Sequence, residues 1–329
     1  MKNTARCLIL LLAAAAALAF SPPVQQLDSA ARKAVVDEIA RLLDEKYVSQ
    51  DIGRKYGARL QAKLAAGAFD AAGTAASLAD LLTTELQGVN GDKHLRVFGP
   101  STQRSVFSPP AAKDLPVAFT SQLSDLKQGF RRVGILEGNI GYLDLLGFVS
   151  EAAGRDMAVA AMKFLGGVGA LIVDLRDNGG GNPEMIRFIS SYFFDRPTHL
   201  NSIYWRDGNR TVEFWTYDKV DGPRLADVPL FVLTSRRTAS GGEEFTYNLK
   251  TRKRALIIGE TTWGGANPGG AFPLPSGLRI FVPTGRAVNP ITGTNWEGTG
   301  VAPDVPADRE KAFDIAFEKA KLAAAGRSR

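Results

Sequence analysis

Apolar residues recur at helical spacing in three successive segments of the first third of the chain. The pattern predicts one helix over residues 28–47, a second around residues 56–64 and a third that opens at Thr74. Their apolar stripes are Val35, Val36, Ile39, Leu42 and Leu43, then Tyr56, Leu60 and Leu64, then Leu78, Leu81, Leu82 and Leu86. We therefore predict a small three-helix domain over residues 26–90, which ends in the turn-forming residues Gly88–Gly91.

From about Val133 the pattern changes to short apolar runs that alternate with helical spacing. Strands are predicted at 140–146, 170–175, 229–234, 255–258 and around 278–282, and helices at 152–165, 183–194, from about 241, and at 309–323. Such alternation is typical of an α/β layer with buried strands. We predict one α/β domain over residues 91–325.

The extreme N-terminus resembles an export signal. Lys2 and Arg6 precede an apolar run of thirteen residues, Leu8–Phe20, which ends at the small-residue triplet Ala17-Leu18-Ala19. This pattern predicts a signal peptide over residues 1–19 and a periplasmic or secreted protein. An uncleaved membrane anchor is the alternative, but thirteen apolar residues are short for a bilayer. We expect no stable membrane insertion after cleavage.

Composition narrows the chemistry. The only cysteine, Cys7, lies in the predicted signal, and the only histidines are His94 and His199, so disulfides, thiol catalysis and an ordinary zinc site are disfavoured. The net charge of +6 is spread without a dense basic run, which gives no support to nucleic-acid binding. We predict neither a metal nor a cofactor, and nothing indicates an oligomeric state.

Three glycines follow a predicted strand and precede a predicted helix, at Asn178-Gly179-Gly180-Gly181. A dinucleotide could bind at such a turn, but the GxGxxG spacing is missing. The remaining interpretations are a plain tight turn and an oxyanion hole, in which glycine N–H groups face developing negative charge.

A second strand-to-helix turn contains Ser240, followed by Gly241 and Gly242. The dipole and N–H groups of a helix N-terminus favour an alkoxide there, which would suit a nucleophile. The alternative is a capping box, because Ser240 and Glu243 have the Ser-x-x-Glu spacing. Spacing alone favours the cap, whereas Gly241 and Gly242 favour the nucleophile, because they are poor helix formers placed where access to the backbone would be needed.

Taken together, these motifs resemble the C-terminal processing (tail-specific) peptidase family. The matching segments, in the family's order, are Asp174–Gly181, Leu233–Ser240, Ile258–Thr262 and Trp296–Asp304. The resemblance implies a crotonase-like α/β catalytic domain and a serine-type peptidase with Ser240 as nucleophile. It also implies that the N–H of Gly241, with that of Gly179 or Gly180, holds the oxyanion.

The base departs from the lysine-dependent branch of that family. The lysine position, 25 residues after Ser240, is Gly265 here, and no lysine stands near it. The chain resembles instead the branch with the tricorn core protease and the repeats of interphotoreceptor retinoid-binding protein, whose base is a histidine. That resemblance assigns the base to His94, within Asp92–Val97, and the orienting carboxylate to Glu297. Without it, His94 could equally be a hydrogen-bonded residue of a turn.

The resemblance implies peptides or unfolded proteins as substrates. Only residues from about Gly99 to Arg132 could hold a PDZ domain, which is too short, so the helical domain could roof the cleft instead. Two alternatives stay open: a non-catalytic carrier of apolar ligands on the same fold, and an esterase-type acyl hydrolase. Tryptophans could line an apolar channel or pack in the core; they are Trp205, Trp215, Trp263 and Trp296.

Overall fold

The computed structural model describes residues 27–99 and 129–327. The predicted signal peptide over residues 1–19, with Cys7, lies outside these ranges. So does most of the segment considered for a PDZ domain. Within the described ranges, no helix is both long and apolar enough to cross a membrane.

The three predicted N-terminal helices are confirmed as α1 Ser29–Lys46, α2 Gln50–Ala65 and α3 Ala75–Asn90. Asp28 caps α1, because its Oδ1 accepts the Ala31 N–H at 2.7 Å. Thr74 caps α3 in the same way, and Gly91 ends α3 with a left-handed φ of 78°. The apolar stripes pack together as their spacing predicts, except for Leu81, which was expected to be buried and is 38% exposed.

The rest of the chain alternates strands and helices. The strands are β1 Arg96–Phe98, β2 Phe130–Leu136, β3 Ile140–Leu145, β4 Ala170–Asp174, β5 His199–Trp205, β6 Arg210–Trp215, β7 Leu230–Thr234, β8 Leu256–Gly259, β9 Gly269–Pro273, β10 Arg279–Pro283, β11 Gly285–Val288 and β12 Val305–Pro306. The helices are α4 Glu151–Phe164, α5 Pro183–Ser190, α6 Gly241–Thr251 and α7 Ala312–Arg327.

A six-stranded sheet in the order β12-β8-β7-β4-β3-β2 forms the centre of the molecule. Its strands are parallel except β2, which pairs antiparallel with β3 at one edge. Helices α4, α5 and α6 cover one face with a large apolar core, and α7 covers the other with a stripe of alanines. All five residues of β4 and of β7 are buried, because both faces of a parallel sheet are covered.

Two three-stranded antiparallel sheets flank the central one, in the orders β1-β10-β9 and β11-β5-β6. The first packs against the N-terminal helices: Val97, Ile280 and Val282 share one apolar cluster with them. Phe281 alternates to the opposite face of β10, away from that cluster. The helices and this sheet thus share one core, and the division into domains 26–90 and 91–325 stays a proposal.

Candidate active site

Ser240 lies at a strained turn between β7 and α6. Its backbone has φ 51° and ψ −116°, a combination that costs a non-glycine residue about 1–3 kcal/mol. The Ser240 N–H donates to Glu243 Oε2 at 2.8 Å, so the glutamate half of the predicted capping box is present. A strained serine between a strand and a helix is the geometry of a nucleophile elbow.

The glycine run after β4 packs directly on this elbow. β4 and β7 are parallel neighbours, so their carboxyl ends meet at one edge of the sheet. Gly180 has φ 98°, and a Cβ placed on it would lie 2.8 Å from Ser240 Cβ. Only glycine permits this close approach of two backbones.

The three glycine amides after β4 differ in their partners. The Gly179 N–H donates to the Leu146 carbonyl at 3.0 Å, and the Gly180 N–H donates to Asn178 Oδ1 at 2.9 Å. Both predicted oxyanion donors of this run are therefore already bonded within the protein. The Gly181 N–H has no hydrogen-bond acceptor among residues 27–99 and 129–327.

Gly241 has the same property on the other side of the turn. As the first residue of α6 it has no intrahelical acceptor for its N–H, and no other acceptor occurs in the described part of the chain. A Cβ placed on Gly241 would lie 2.8 Å from the Gly181 nitrogen. Two unbonded amides thus adjoin each other beside Ser240.

His94 lies just before β1 in a buried turn built by Asp92. Asp92 Oδ1 accepts the N–H groups of His94 and Leu95 at 3.1 and 3.3 Å, and Tyr47 donates its hydroxyl to Asp92 Oδ2 at 2.8 Å. This role of Asp92 is not among the predictions made from the sequence. Asp side chains in turns commonly accept a hydrogen bond from the backbone N–H two residues later, as Asp92 does from His94.

Aromatic rings enclose the His94 imidazole. Trp263 meets it edge-on with ring centroids 5.1 Å apart, and Phe281 from β10 lies at 5.6 Å. Burial in this setting lowers the pKa of His94 to about 4. The imidazole is consequently neutral near pH 7 and can accept a proton.

Glu297 lies beside the imidazole. Its Oε2 accepts the N–H groups of Ala266 and Asn267 at 2.7 and 3.0 Å, which fixes the carboxylate. Glu297 Oε1 and His94 Nδ1 are both buried, and neither has a hydrogen-bond partner among the described residues. Ligand atoms of Asp92, His94 and Glu297 all lie within 4.8 Å of one another. Each unpaired atom is the natural partner of the other.

The same three residues form a group that could hold a metal by distance alone. Both Asp92 oxygens, however, already accept protein hydrogen bonds. That leaves one oxygen of Glu297 and one ring nitrogen of His94, whereas a zinc site normally has three or four protein ligands. The donor set fits a histidine–carboxylate pair better than a metal site.

Burial, and after it the negative charge of Asp92, together raise the pKa of Glu297 to about 8. The pKa of Asp92 is also raised, chiefly by burial. The two acids and the imidazole are close enough to titrate as a coupled group.

Glu243 connects the serine turn to the loop beside His94. Besides the Ser240 N–H, its carboxylate accepts the Thr262 hydroxyl at 2.6 Å and the N–H groups of Gly264 and Gly265 at 2.5 and 2.9 Å. Burial raises the pKa of Glu243 to about 7. The sequence predicts only a helix cap for Glu243, because the loop groups that donate to its carboxylate are about twenty residues away along the chain.

Gly265 faces the imidazole. A Cβ at this position would lie 2.7 Å from His94 Cε1 and 2.5 Å from the Trp263 ring. The Trp296 indole N–H donates to the Gly265 carbonyl at 2.9 Å and holds the loop in place. The imidazole thus occupies the space that a side chain at position 265 would enter.

Ser240 and His94 line the same cavity, of about 170 Å³. Its walls are mostly apolar and include Trp205 and Trp296 as well as Gly181 and Gly241. Two of the four tryptophans therefore line this cavity, and Trp263 contacts the His94 imidazole.

His199, the second histidine, and Lys250, the one lysine of α6, lie outside this cavity. His199 begins β5, stacks on Trp215 with centroids 4.7 Å apart and hydrogen-bonds Ser202 Oγ at 2.9 Å. Lys250 is in the last turn of α6 and pairs with Asp304. The structure thus brings Ser240, His94, Glu297 and Gly241 together, and adds Gly181, Glu243 and Asp92.

Carboxyl-terminal-processing peptidases are among the curated proteins that this chain resembles. Carboxyl-terminal-processing peptidase 2, a chloroplastic protein of Arabidopsis thaliana, is 32% identical over 168 residues, which are 51% of this chain and 32% of the relative. The matches to the first curated relatives cover between 32% and 40% of those proteins.

Two solved structures share the fold. A crystal structure from Parabacteroides merdae has a TM-score of 0.63 at 19% identity, and covers 88% of this chain and 96% of that one. The photosystem II D1 C-terminal processing protease has a TM-score of 0.53 at 20% identity, and covers 85% and 94%. At such identities the likeness is evidence of a common fold alone.

Family matches extend over most of the chain. The family described as the N-terminal domain of Peptidase_S41 in eukaryotic IRBP matches residues 14–133. Peptidase family S41 matches residues 139–307, more than half of the 329 residues, and this match includes β4, the serine turn and Glu297. The chain therefore belongs to peptidase family S41.

Proposed function

We propose that this protein is a serine-type peptidase that hydrolyses peptide bonds through an acyl-enzyme on Ser240, with His94 as the general base. One observation carries the proposal: Ser240 and His94 line one cavity, beside two adjoining amides that have no acceptor in the described part of the chain. This is the set of groups that acyl transfer requires, namely a nucleophile, a base and oxyanion donors.

In the proposed reaction, His94 Nε2 takes the Ser240 hydroxyl proton as Oγ attacks the substrate carbonyl. Glu297 Oε1 accepts the Nδ1–H, which holds the tautomer with a free Nε2 lone pair and stabilises the imidazolium. His94 then donates the proton to the leaving amine. Water, deprotonated by the same imidazole, then attacks the acyl carbonyl, and His94 returns that proton to Ser240 Oγ as the acid product leaves.

We assign the oxyanion donors to the N–H groups of Gly241 and Gly181. Gly179 and Gly180 were expected from the sequence, but their amides donate elsewhere in the protein. Donors that are already fixed and unbonded need no reorganisation when charge develops on the oxygen.

The substrate class and the cellular compartment are inferred from the family and from the N-terminal residues. Peptide or unfolded-protein substrates and export, periplasmic or secreted, stay proposals that rest on the family and on residues 1–19. The alternative function, a carrier of apolar ligands, is disfavoured by the size of the cavity. Its volume is about 170 Å³, whereas pockets that bind drug-sized molecules commonly have about 300–1,000 Å³. Paired ester and peptide substrates of one sequence would distinguish an esterase from a peptidase.

Covalent labelling tests the proposal directly. The pure protein, incubated with a fluorophosphonate, should carry one adduct, and peptide mass spectrometry should locate it on Ser240. The same preparation should hydrolyse fluorescent casein, and the adduct should stop hydrolysis. An adduct on another residue, or casein hydrolysis that survives full labelling of Ser240, would contradict the proposal.

The pH profile should show an acid limb caused by Glu297. A protonated Glu297 donates to His94 Nδ1 and leaves Nε2 protonated, whereas an ionised Glu297 accepts Nδ1–H and frees Nε2. Because the pKa of Glu297 is raised to about 8 and that of His94 is lowered to about 4, kcat/KM should rise with pH between 6 and 9. Glu297→Gln should lower kcat/KM and flatten this limb. A wild-type profile that is flat from pH 6 to 9 would count against the assignment.

Gly265→Ala should reduce kcat/KM at least tenfold. The added methyl would lie 2.7 Å from His94 Cε1 and 2.5 Å from the Trp263 ring, which is closer than van der Waals contact, so one of the rings must move. A small displacement of a base is costly to catalysis. Gly270→Ala in β9 is the matched control, because its Cβ would meet only the Phe272 ring, at 3.8 Å. Equal activity of the two variants would show that position 265 has no steric control over the imidazole.

A further inference from the structure

Glu244 is the one acidic residue among the described residues that line the cavity with Ser240. Glu244 follows Ser240 by four residues, and its N–H donates to the Ser240 carbonyl at 3.0 Å. Residues four apart lie on the same face of a helix, so this carboxylate is one turn from the nucleophile. The side chain is only 7% exposed.

The wall opposite α6 is apolar. Ile203 and Trp205 from β5 and Ala287 from β11 line the cavity, and Ile203 pairs with Ala287 across the two antiparallel strands. Trp296, almost fully buried, contributes a further apolar surface. A side chain bound here would have its carbon stem against apolar groups and its end near Glu244.

Asn201 adds a second polar group beside Glu244. It lies two residues before Ile203 on β5, hence on the same face of the strand. Its side chain is fully buried, and neither amide atom has an ordinary hydrogen-bond partner among the described residues. Burial raises the pKa of Glu244 to about 7, and the Asn201 amide opposes that shift.

The described residues that line the cavity include no lysine or arginine. A buried carboxylate without a cation is costly, and a bound group of opposite charge offsets part of that cost. Lysine and arginine side chains combine an apolar stem with a cationic end, which matches an apolar wall that leads to a carboxylate.

We infer that Glu244 determines substrate specificity, and that it selects a lysine or arginine on the acyl side of the bond that Ser240 attacks. The inference rests on the proposed peptidase function and adds the substrate class. Glu244 contacts the substrate side chain, while Ser240 and His94 act on the carbonyl.

The test uses peptides of one sequence that differ only at the residue before the cleaved bond: lysine, arginine, norleucine or glutamine. The wild-type protein should cleave the lysine and arginine peptides at least tenfold faster, as kcat/KM, than the norleucine peptide. Glu244→Gln should lower this lysine-to-norleucine ratio at least tenfold. Glu318→Gln, the same change in α7 on the other face of the central sheet, should leave the ratio as in the wild type.

A wild-type preference for norleucine or glutamine, or a ratio that Glu244→Gln does not change, would overturn the inference. If thermal melting shows that Glu244→Gln does not fold, the wild-type ratio of lysine to norleucine cleavage decides the matter by itself.

A binding experiment separates this inference from the proposed function. Fluorescence anisotropy with Ser240→Ala should show tighter binding of the lysine peptide, and Ser240→Ala combined with Glu244→Gln should remove the difference.

The two hypotheses fail in distinguishable ways. If the wild-type protein binds the lysine peptide preferentially but cleaves no peptide, the role of Glu244 in binding is supported and the peptidase proposal is refuted. Cleavage without discrimination between lysine and norleucine would leave the peptidase and refute the role of Glu244.

Discussion

Ser240→Ala is expected to abolish peptide hydrolysis, with a fall in kcat of roughly 10⁴-fold or more, because loss of a covalent nucleophile removes the acyl-enzyme route. The fold should survive. Alanine keeps the Cβ, the same strained φ of 51° and the N–H that donates to Glu243. Steady-state kinetics on a peptide substrate, with thermal unfolding of both proteins, measures the two effects separately.

Ser276 provides a matched control for that substitution. It is also a serine with a positive φ, 61°, but it lies in the turn between β9 and β10 and does not line the cavity. Ser276→Ala should retain wild-type kcat/KM. Turnover by Ser240→Ala above about one hundredth of the wild-type rate would be incompatible with a nucleophilic Ser240.

His94→Gln should reduce kcat/KM by about 10³-fold, because the serine hydroxyl then has no side chain beside it that can accept its proton. Glutamine fills a similar volume between Trp263 and Phe281 and carries no charge, as the buried imidazole does near neutral pH. The rate at which a fluorophosphonate labels Ser240 should fall together with kcat/KM. That joint decrease distinguishes lost nucleophile activation from lost substrate binding.

The second histidine of the chain is the control. His199→Gln removes a ring that stacks on Trp215 and bonds Ser202, outside the cavity, so it should change kcat/KM by less than about threefold. If His94→Gln and His199→Gln have equal activities, the base is not His94.

The proposed base, His94, can occupy its place because a neighbouring backbone position lacks a side chain. Position 265 corresponds to the lysine of the lysine-dependent branch in the resemblance, and here it is a glycine whose missing Cβ leaves room for the imidazole. The Asp92 turn then delivers His94 from the opposite side, through β1 and its pairing with β10. One site can therefore accommodate a base from position 265 or from position 94, but not both.

The local pattern of the chain by itself determined the elements that need only local information. The amphipathic stripes of α1 to α3, the buried runs of β4 and β7, and the start of α6 after Ser240 are all found where periodicity and turn residues predict them. The motifs from Asp174 to Asp304 also sufficed to identify the family, because their order along the chain is itself sequence information.

Only the tertiary structure decided which groups of the site can act. Three consecutive glycines are equivalent as a pattern, yet Gly179 and Gly180 donate to Leu146 and Asn178, which leaves the Gly181 N–H. Likewise, nothing local brings Glu297 to His94. The physical reason is that strands and loops distant in the chain supply the hydrogen-bond acceptors, the burial and the neighbouring charges of each group. These neighbours are fixed only when the strands assemble into sheets in their final order.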